Sequence, residues 1–471
     1  MKIVFTHAYF IAEDVKEQAI MRPYPPLGIL YLSAWLDKHG VDNEVFDTTF
    51  STKKEQEHYL RENAPDVIAI YTNLMTKLNV VALLRYIRQE PATQNSLVVI
   101  GGPDVTYNIE NYLDTGADIV VFGEGEQTML EIAKAYEAGF RDQFSHIDGL
   151  AFREADGNVM KTAGRKRIRP VDELPIPNRH KIDYQKYLDT WKEFHGHSTI
   201  SISTQRGCPY TCRWCSTAVY GQSYRRRSPA SVAEELELLQ RDYQPDQYWF
   251  VDDVFTVSHK WLVNFRDELQ KRQLNISFEC ITRADRLNKD IVQVLKDCGC
   301  FRVWIGAESG SQKILDAMDR RVEVQQVREM IVEARNQGMQ AGTFIMLGYP
   351  GETEEDIRET LDHLRISNPD LFTITVAYPI KGTGLYEEVE AKRLSNADWS
   401  ASTDRDIDFV RTYPRPYYDF AVRWLVNGVN LHKLKLQNRS WNPRGLKLQI
   451  KITAARMGMW WYRSFGKTPS T

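Results

Sequence analysis

The sequence predicts an α/β protein built from a flavodoxin-like doubly wound sheet, a partial, TIM-like (β/α)6 barrel and a small, largely helical basic tail. Three observations predict it. Short Val/Ile-rich runs alternate with amphipathic stretches through residues 1–140, and the alternation resumes near residue 198. Near-continuous apolar strands separated by helices mean parallel sheets covered on both faces. The chain has 471 residues, 42% hydrophobic and 26% charged; that balance sets aside disorder, collagen and disulfide scaffolds, and the length calls for two or three cores.

The strands of the first series read KIVF from Lys2, NEVFDTT from Asn43, DVIAIYT from Asp66, SLVVIGG from Ser96 and ADIVVFGEG from Ala117, with helical patterns over 27–38, 53–62 and 78–88. Ligands of such sheets sit beyond the carboxyl ends of the strands, an edge built here from 72–76, 101–106 and 123–128. Residues 146–190 change character. A hairpin signal at Asp156-Gly157 precedes a basic, Pro-containing stretch, which suits a connector. In the second series the strands read TISISTQRG, QYWFVDDV, SFECITRAD, FRVWIGAES, AGTFIMLGYP and LFTITVAYP, with helices over 231–242, 260–272, 289–297, 324–337 and 354–366. Six βα units fall two short of a closed barrel, and catalytic groups of such barrels gather after the strand C-termini. The expected organisation is a first domain over 1–145, a linker with hairpin over 146–190, a barrel over 191–390 and a C-terminal segment over 391–471.

The opening MKIVFTHAYF lacks the apolar core and small-residue cleavage site of a signal peptide, and no window holds eighteen consecutive apolar residues. The expectation is a cytoplasmic chain, where thiols stay reduced and clustered cysteines imply metal. The net charge of −3 hides an asymmetry: ten Lys or Arg and no Asp or Glu follow Phe420, so the first 419 residues carry −13.

Immediately after the first barrel strand comes RGCPYTCRWCST, with Cys208, Cys212 and Cys215 spaced C-x3-C-x2-C. Six cysteines placed at random would give this spacing about once in a thousand sequences. Three thiolates on one loop can hold three irons of a [4Fe–4S] cluster, leaving the fourth iron open to a ligand. A zinc finger needs a fourth ligand nearby, and no His occurs between Cys208 and His259.

This motif, with Trp214 before its last cysteine, resembles the signature of the radical S-adenosylmethionine (SAM) superfamily. The order of the two domains resembles the cobalamin-binding branch, which includes methylases and an anaerobic porphyrin ring cyclase. The resemblance runs from Lys2 to about Glu388. Asp252 and Asp253 in VDDVF end the second strand, where carboxylates can accept hydrogen bonds from an ammonium; the resemblance implies the methionyl amine of SAM, against a solvated strand-end pair. Arg283 closes the third strand, suited to a carboxylate or ribose or to an ion pair with Asp285. Glu308 in IGAESGS matches the family's ribose-binding position, and an acid after a buried strand is costly unless paired. Gly348 and Gly351 in GTFIMLGYPGET resemble the adenine-contacting strand, where backbone can approach the base. Gly382 and Gly384 resemble the loop after the sixth strand, or form a plain turn.

For the first domain the resemblance implies cobalamin. PYPPLGILYLSAWL from Pro23 resembles the opening of such domains, and Gly101, Gly102, Gly123 and Gly125 stand where backbone can face the corrin. The D-x-H-x-x-G motif that supplies a cobalt ligand elsewhere is absent, and Asp104 stands where relatives often carry His. Cys280, Cys298 and Cys300 read as core thiols.

The implied function is a radical enzyme that cleaves SAM to a 5′-deoxyadenosyl radical, served by an electron donor such as flavodoxin or ferredoxin. Methylation of an unactivated carbon of a small-molecule or lipid-like substrate leads. A cobalamin-dependent cyclase or carbon-skeleton rearrangement enzyme is the alternative, and a non-enzymatic cobalamin or SAM sensor is the rival from another class. A tRNA methylthiolation enzyme would carry further cysteines, and none precedes Cys208. In the tail, Lys and Arg interleave with Trp441, Trp460, Trp461 and Phe465. This suits peripheral contact of residues 420–471 with an anionic membrane, a hydrophobic acidic substrate, or a helical cap on the barrel. No nucleic acid is expected, because no recognised binding module accompanies the charge.

Overall fold

The structure, a computed structural model, describes residues 1–140, 143–217, 219–394, 398–437 and 442–466. Trp441 of the aromatic tail lies outside the described residues. The chain divides into two compact units. The first comprises Met1–Pro209, Thr217–Tyr248 and Asp398–Thr403; the second comprises Tyr210–Ser216, Trp249–Ala397 and Asp404–Thr471.

In the first unit β1 (Ile3–Thr6), β2 (Glu44–Phe46), β3 (Val67–Tyr71), β4 (Leu97–Gly101) and β5 (Ile119–Val121) run parallel in the order β2-β1-β3-β4-β5. This is the flavodoxin-like order. The two-residue period of the strands divides their apolar residues between two cores. Ile3, Phe5, Val67, Ala69 and Val99 face one cluster, while Val4, Ile68, Ile70, Val98 and Ile100 face the other. The helices Leu27–Lys38 and Glu126–Glu137 supply the first cluster; Lys53–Asn63, Lys77–Gln89 and Ile109–Thr115 supply the second.

The expected hairpin forms, as β6 (Leu150–Arg153) and β7 (Val159–Lys161), but it is not part of a linker. It extends the first sheet antiparallel from β5, so that sheet has seven strands. Without it β5 would be an edge with unpaired backbone groups. The first unit also reaches past the expected boundaries at 145 and 190. It includes the helix Tyr184–His195, β8 (Thr199–Ile202), the antiparallel pair β9 (Gln205–Arg206) and β10 (Arg225–Arg226), and the helix Pro229–Tyr243. Buried charge gives the reason: Arg179 and Arg227 both pair with Glu235, which is fully buried.

All six strands expected of the second series form. The chain enters the second unit within β11 (Gln247–Phe250), and β12 (Phe278–Thr282), β13 (Cys300–Glu308), β14 (Gln340–Leu347) and β15 (Leu371–Val376) follow beside it in chain order. From β12 onward the pairings are parallel. The helices His259–Lys271, Lys289–Asp297, Val324–Asn336 and Glu354–Ser367 lie between successive strands in the chain. Two long helices, Arg415–Leu436 and Pro443–Phe465, end the described chain. No helix among the described residues is long and apolar enough to cross a membrane. Cys280, Cys298 and Cys300 are buried, and burial pushes the Cys298 thiol up to about 12.

Candidate functional site

In the second unit the site is built around Cys212. The loop that carries it is pinned by backbone at Arg213, next to Cys212: the Arg213 amide donates to Met318 O at 3.1 Å, and the Leu385 amide donates to Arg213 O at 2.7 Å. Cys215 sits on the same turn, its amide donating to Cys212 O at 3.1 Å. Two guanidinium groups meet at the Cys212 sulfur. Arg283 Nη1 lies 3.6 Å and Arg320 Nη1 3.7 Å from Sγ. Both arginines are buried, and each is fixed by further bonds. Arg283 stacks 3.9 Å over Tyr210, pairs through Nε with Asp285 at 2.8 Å and donates from Nη2 to Arg320 O at 2.6 Å. Arg320 donates to Gly306 O at 3.0 Å and lies 5.9 Å over the Trp214 ring.

Of the two expectations for Arg283, a carboxylate or ribose and an ion pair with Asp285, the ion pair forms through Nε, buried on the arginine side, while Nη1 reaches Cys212 Sγ and Nη2 donates to Arg320 O. Glu308 is placed differently. It ends β13 with φ +66°, and its carboxylate is 4.0 Å from Arg320. Burial raises its carboxyl above the ordinary range, with Arg320 and Arg283 opposing. Glu308 lines a cleft with Trp214, Phe344, Met346, Thr375 and Tyr378. Asp252, two residues beyond β11, is buried. The carboxyl of Asp253 is raised by desolvation and then by the charge of Asp252.

Gly348 and Gly351 both adopt left-handed backbone, φ +77° and +78°. The Gly348 amide donates to Glu352 Oε2 at 2.5 Å, and Gly351 O accepts from Lys313 Nζ at 2.9 Å. Glu352 is fully buried. Burial pushes its carboxyl up to about 8; the Gly348 amide opposes and Asp356 adds to the rise. The folded state therefore keeps a proton that the unfolded chain releases near its ordinary value of 4.5, so stability falls as pH rises from about 5 to about 8. Glu352→Gln, which keeps an acceptor for Gly348 without the charge, is expected to raise the melting temperature relative to wild type more at pH 8 than at pH 5. An equal difference at both pH values would refute this titration.

In the first unit a cleft opens at the carboxyl ends of the strands, lined by Gly101, Gly102, Gly123 and Gly125 with Leu32, Tyr71 and Tyr220. Gly102 has φ +120°, and a Cβ there would fall 2.1 Å from Thr72 O, so no larger residue fits that crossing. Gly123 has φ +79° with nothing within 4 Å of a Cβ, which leaves bare backbone facing open space. Asp104 does not line this cleft. Its carboxylate accepts from Tyr112 Oη at 2.5 Å and from Asn108 Nδ2 at 3.3 Å.

The sequence reading missed the charged wall of this cleft. Glu124 and Glu126 both line it, Arg225 pairs with Glu124, and Arg206 pairs with Glu126 while lying 3.8 Å from Glu124. All four side chains are at least nine-tenths buried. Arg206 also lies 5.5 Å over Tyr31 and 5.4 Å over Tyr220. Burial opposes the charge on Glu126, but Arg206 outweighs it and holds the carboxyl below the ordinary range. Arg206 stands two residues before Cys208, which bridges to Gln222 within the same unit.

Two family profiles match the chain. The Radical SAM superfamily profile matches residues 202–364, and the B12 binding domain profile matches residues 20–133. An uncharacterized methyltransferase of Pyrococcus horikoshii is 30% identical over 378 residues, 79% of each chain. The chain belongs to the radical SAM superfamily, in the branch that carries a B12-binding domain. The anaerobic magnesium-protoporphyrin IX monomethyl ester cyclase of Cereibacter sphaeroides is 27% identical over 399 residues, covering 83% of this chain and 64% of the cyclase. The solved cobalamin-dependent SAM radical enzyme OxsB, with aqua-cobalamin and SAM bound, has the same fold. Its TM-score is 0.73 at 15% identity, over 98% of this chain and 72% of that one.

A radical SAM protein of this branch needs thiolate ligands and a corrin cleft, and the residues present fit both by their chemistry. Cys212 carries two cations that would offset the charge of a thiolate-bound cluster. The first-unit cleft presents glycine backbone and aromatic rings to a flat ligand. Among the described residues, no three His, Cys, Asp or Glu side chains already converge to hold a metal ion. Among the described residues, no imidazole lines the first-unit cleft.

Proposed function

We propose that the chain methylates an unactivated carbon of a small-molecule or lipid-like substrate, using a [4Fe–4S] cluster on Cys208, Cys212 and Cys215 together with SAM and cobalamin. The observation that carries this reading is the pair Arg283 and Arg320 at the Cys212 sulfur, beside the cleft that holds Glu308. When bound, the reduced cluster supplies the electron that cleaves SAM to a 5′-deoxyadenosyl radical, and methylcobalamin supplies the methyl group.

The protein's own part is binding, orientation and exclusion of water. Asp252 and Asp253 would accept hydrogen bonds from the methionyl ammonium of SAM, Glu308 would accept from its ribose hydroxyls, and the loop of Gly348 and Gly351 would lie along its adenine. Arg283 and Arg320 hold the cysteine loop and balance its charge. Gly101, Gly102, Gly123 and Gly125 would bring backbone to the corrin, with Asp104 holding the turn beside them through Tyr112. Trp214, Phe344, Met346 and the Tyr378 ring give the barrel cleft apolar walls, with hydroxyls from Thr373, Thr375 and Tyr378. Such a lining suits a hydrophobic substrate with few polar groups. The electron would come from a protein donor such as flavodoxin or ferredoxin.

Methyl transfer is favoured by the methyltransferase similar over 79% of both chains. Cyclisation is the second reading, favoured by the cyclase similar over 83% of this one. Anaerobic reconstitution with hydroxocobalamin, gel filtration and a visible spectrum separates them from a radical enzyme without cobalamin. Retained corrin absorbance is the expected result. Its absence, with 5′-deoxyadenosine still formed from SAM, would remove methyl transfer and spare the radical step.

A further inference from the structure

The terminal helix, Pro443–Phe465, presents two apolar faces. Gly445, Leu448, Ala455 and Met459 are buried. Leu448 packs with Leu431 and Leu434 of the preceding helix, and the Tyr462 ring is 5.8 Å from Phe420. A Cβ at Gly458 would fall 2.4 Å from the Phe420 ring, so glycine permits this close approach of the two helices. A helix packed on one side is ordinarily polar on the other.

Here the outer side is apolar too. At 3.6 residues per turn, Leu446, Ile450, Met457 and Trp461 fall within roughly 60° of arc, on the side opposite the buried face. They are 59, 61, 66 and 57% exposed, and Trp460 and Phe465 flank them at 52 and 61%. Of the eighteen large apolar side chains exposed among the described residues, six stand on this one helix, gathered on one side with Thr453 and Ser464 among them rather than scattered. Both borders of the stripe are basic. Arg444, Lys447 and Lys451 lie along one, Arg456 and Arg463 along the other, all exposed; Arg463 also pairs with Glu354 at 2.7 Å.

We propose that this face docks on an anionic lipid bilayer, with the helix lying in the headgroup plane. Leu446, Ile450, Met457 and Trp461 enter the acyl boundary, and the bordering cations meet lipid phosphates. Charge decides among occupants. A second copy of the chain would bring its own segment of ten cations and no acid against the first. Nucleic acid would satisfy the cations but leave aliphatic side chains at the centre of the contact.

The test uses the full chain and vesicles of phosphatidylcholine containing roughly one-third phosphatidylglycerol. The protein is expected to sediment with these vesicles, to release in high salt, and to remain in solution with phosphatidylcholine alone. The triple substitution Ile450→Asp, Met457→Asp and Trp461→Ser should weaken partition about tenfold or more. Because all three side chains point outward, the melting temperature should stay unchanged. Three results would overturn the proposal: equal sedimentation of wild type and triple variant, a concentration-dependent dimer that the triple substitution abolishes, or RNA binding that it abolishes in place of vesicle binding.

Discussion

Cys212→Ala is expected to abolish SAM cleavage and to leave the anaerobically reconstituted protein with little iron. Two losses combine at this position. One of three thiolates in C-x3-C-x2-C disappears, and three are already one short of the cysteines that usually hold such a cluster. Arg283 Nη1 and Arg320 Nη1, 3.6 and 3.7 Å from the sulfur, also lose the acceptor they share, which leaves two buried cations side by side. Misfolding is distinguished by a control. Cys280 is equally a thiol but lies wholly in the core, so Cys280→Ala should cost stability, about 1 kcal/mol, while keeping its iron. Iron content, 5′-deoxyadenosine yield and melting temperature are the readouts. Turnover by Cys212→Ala with no bound iron would sink the cluster assignment.

Arg206→Met is expected to produce the largest loss of stability, about 3–5 kcal/mol by urea unfolding. It strips the partner from Glu126, whose side chain is 5% exposed, and leaves a carboxylate with no bulk water to solvate it. Replacing both residues by apolar ones should recover much of the loss, since a buried pair gains little over well-packed hydrocarbon. A double variant as unstable as the sum of two singles would show that the pair is not coupled.

The two ends of this contact show what sequence could and could not reveal. The strands were legible because their Val/Ile runs are local and continuous, and the helix expected over 289–297 forms as Lys289–Asp297. The cysteine loop was legible because its three cysteines fall within eight residues. Arg206 and Glu126 are 80 residues apart, Arg225 and Glu124 are 101, and Arg320 and Cys212 are 108. No periodicity or spacing marks such pairs, because each is made only once the chain has folded. Asp104 shows the same limit: its motif gives the place on the sheet edge but not the hydrogen bond that its carboxylate accepts from Tyr112 of the neighbouring helix. The hairpin had a clear turn signal, yet nothing local told that β5 would take it as a neighbour.

The path of the chain between the two units bears on how such a protein can be cut or recombined. Residues Tyr210–Ser216 belong to one unit while the segments on both sides belong to the other. A fragment ending at residue 190 would keep Glu124, Glu126 and Arg179 but lose Arg225, Arg206 and Glu235, their buried counter-ions. A chimera joined at any single point before residue 248 would likewise divide one unit between two parents. A join just after residue 248 keeps the first unit whole apart from Asp398–Thr403, and the loop Tyr210–Ser216 then stays with the first parent while the rest of the second unit comes from the other.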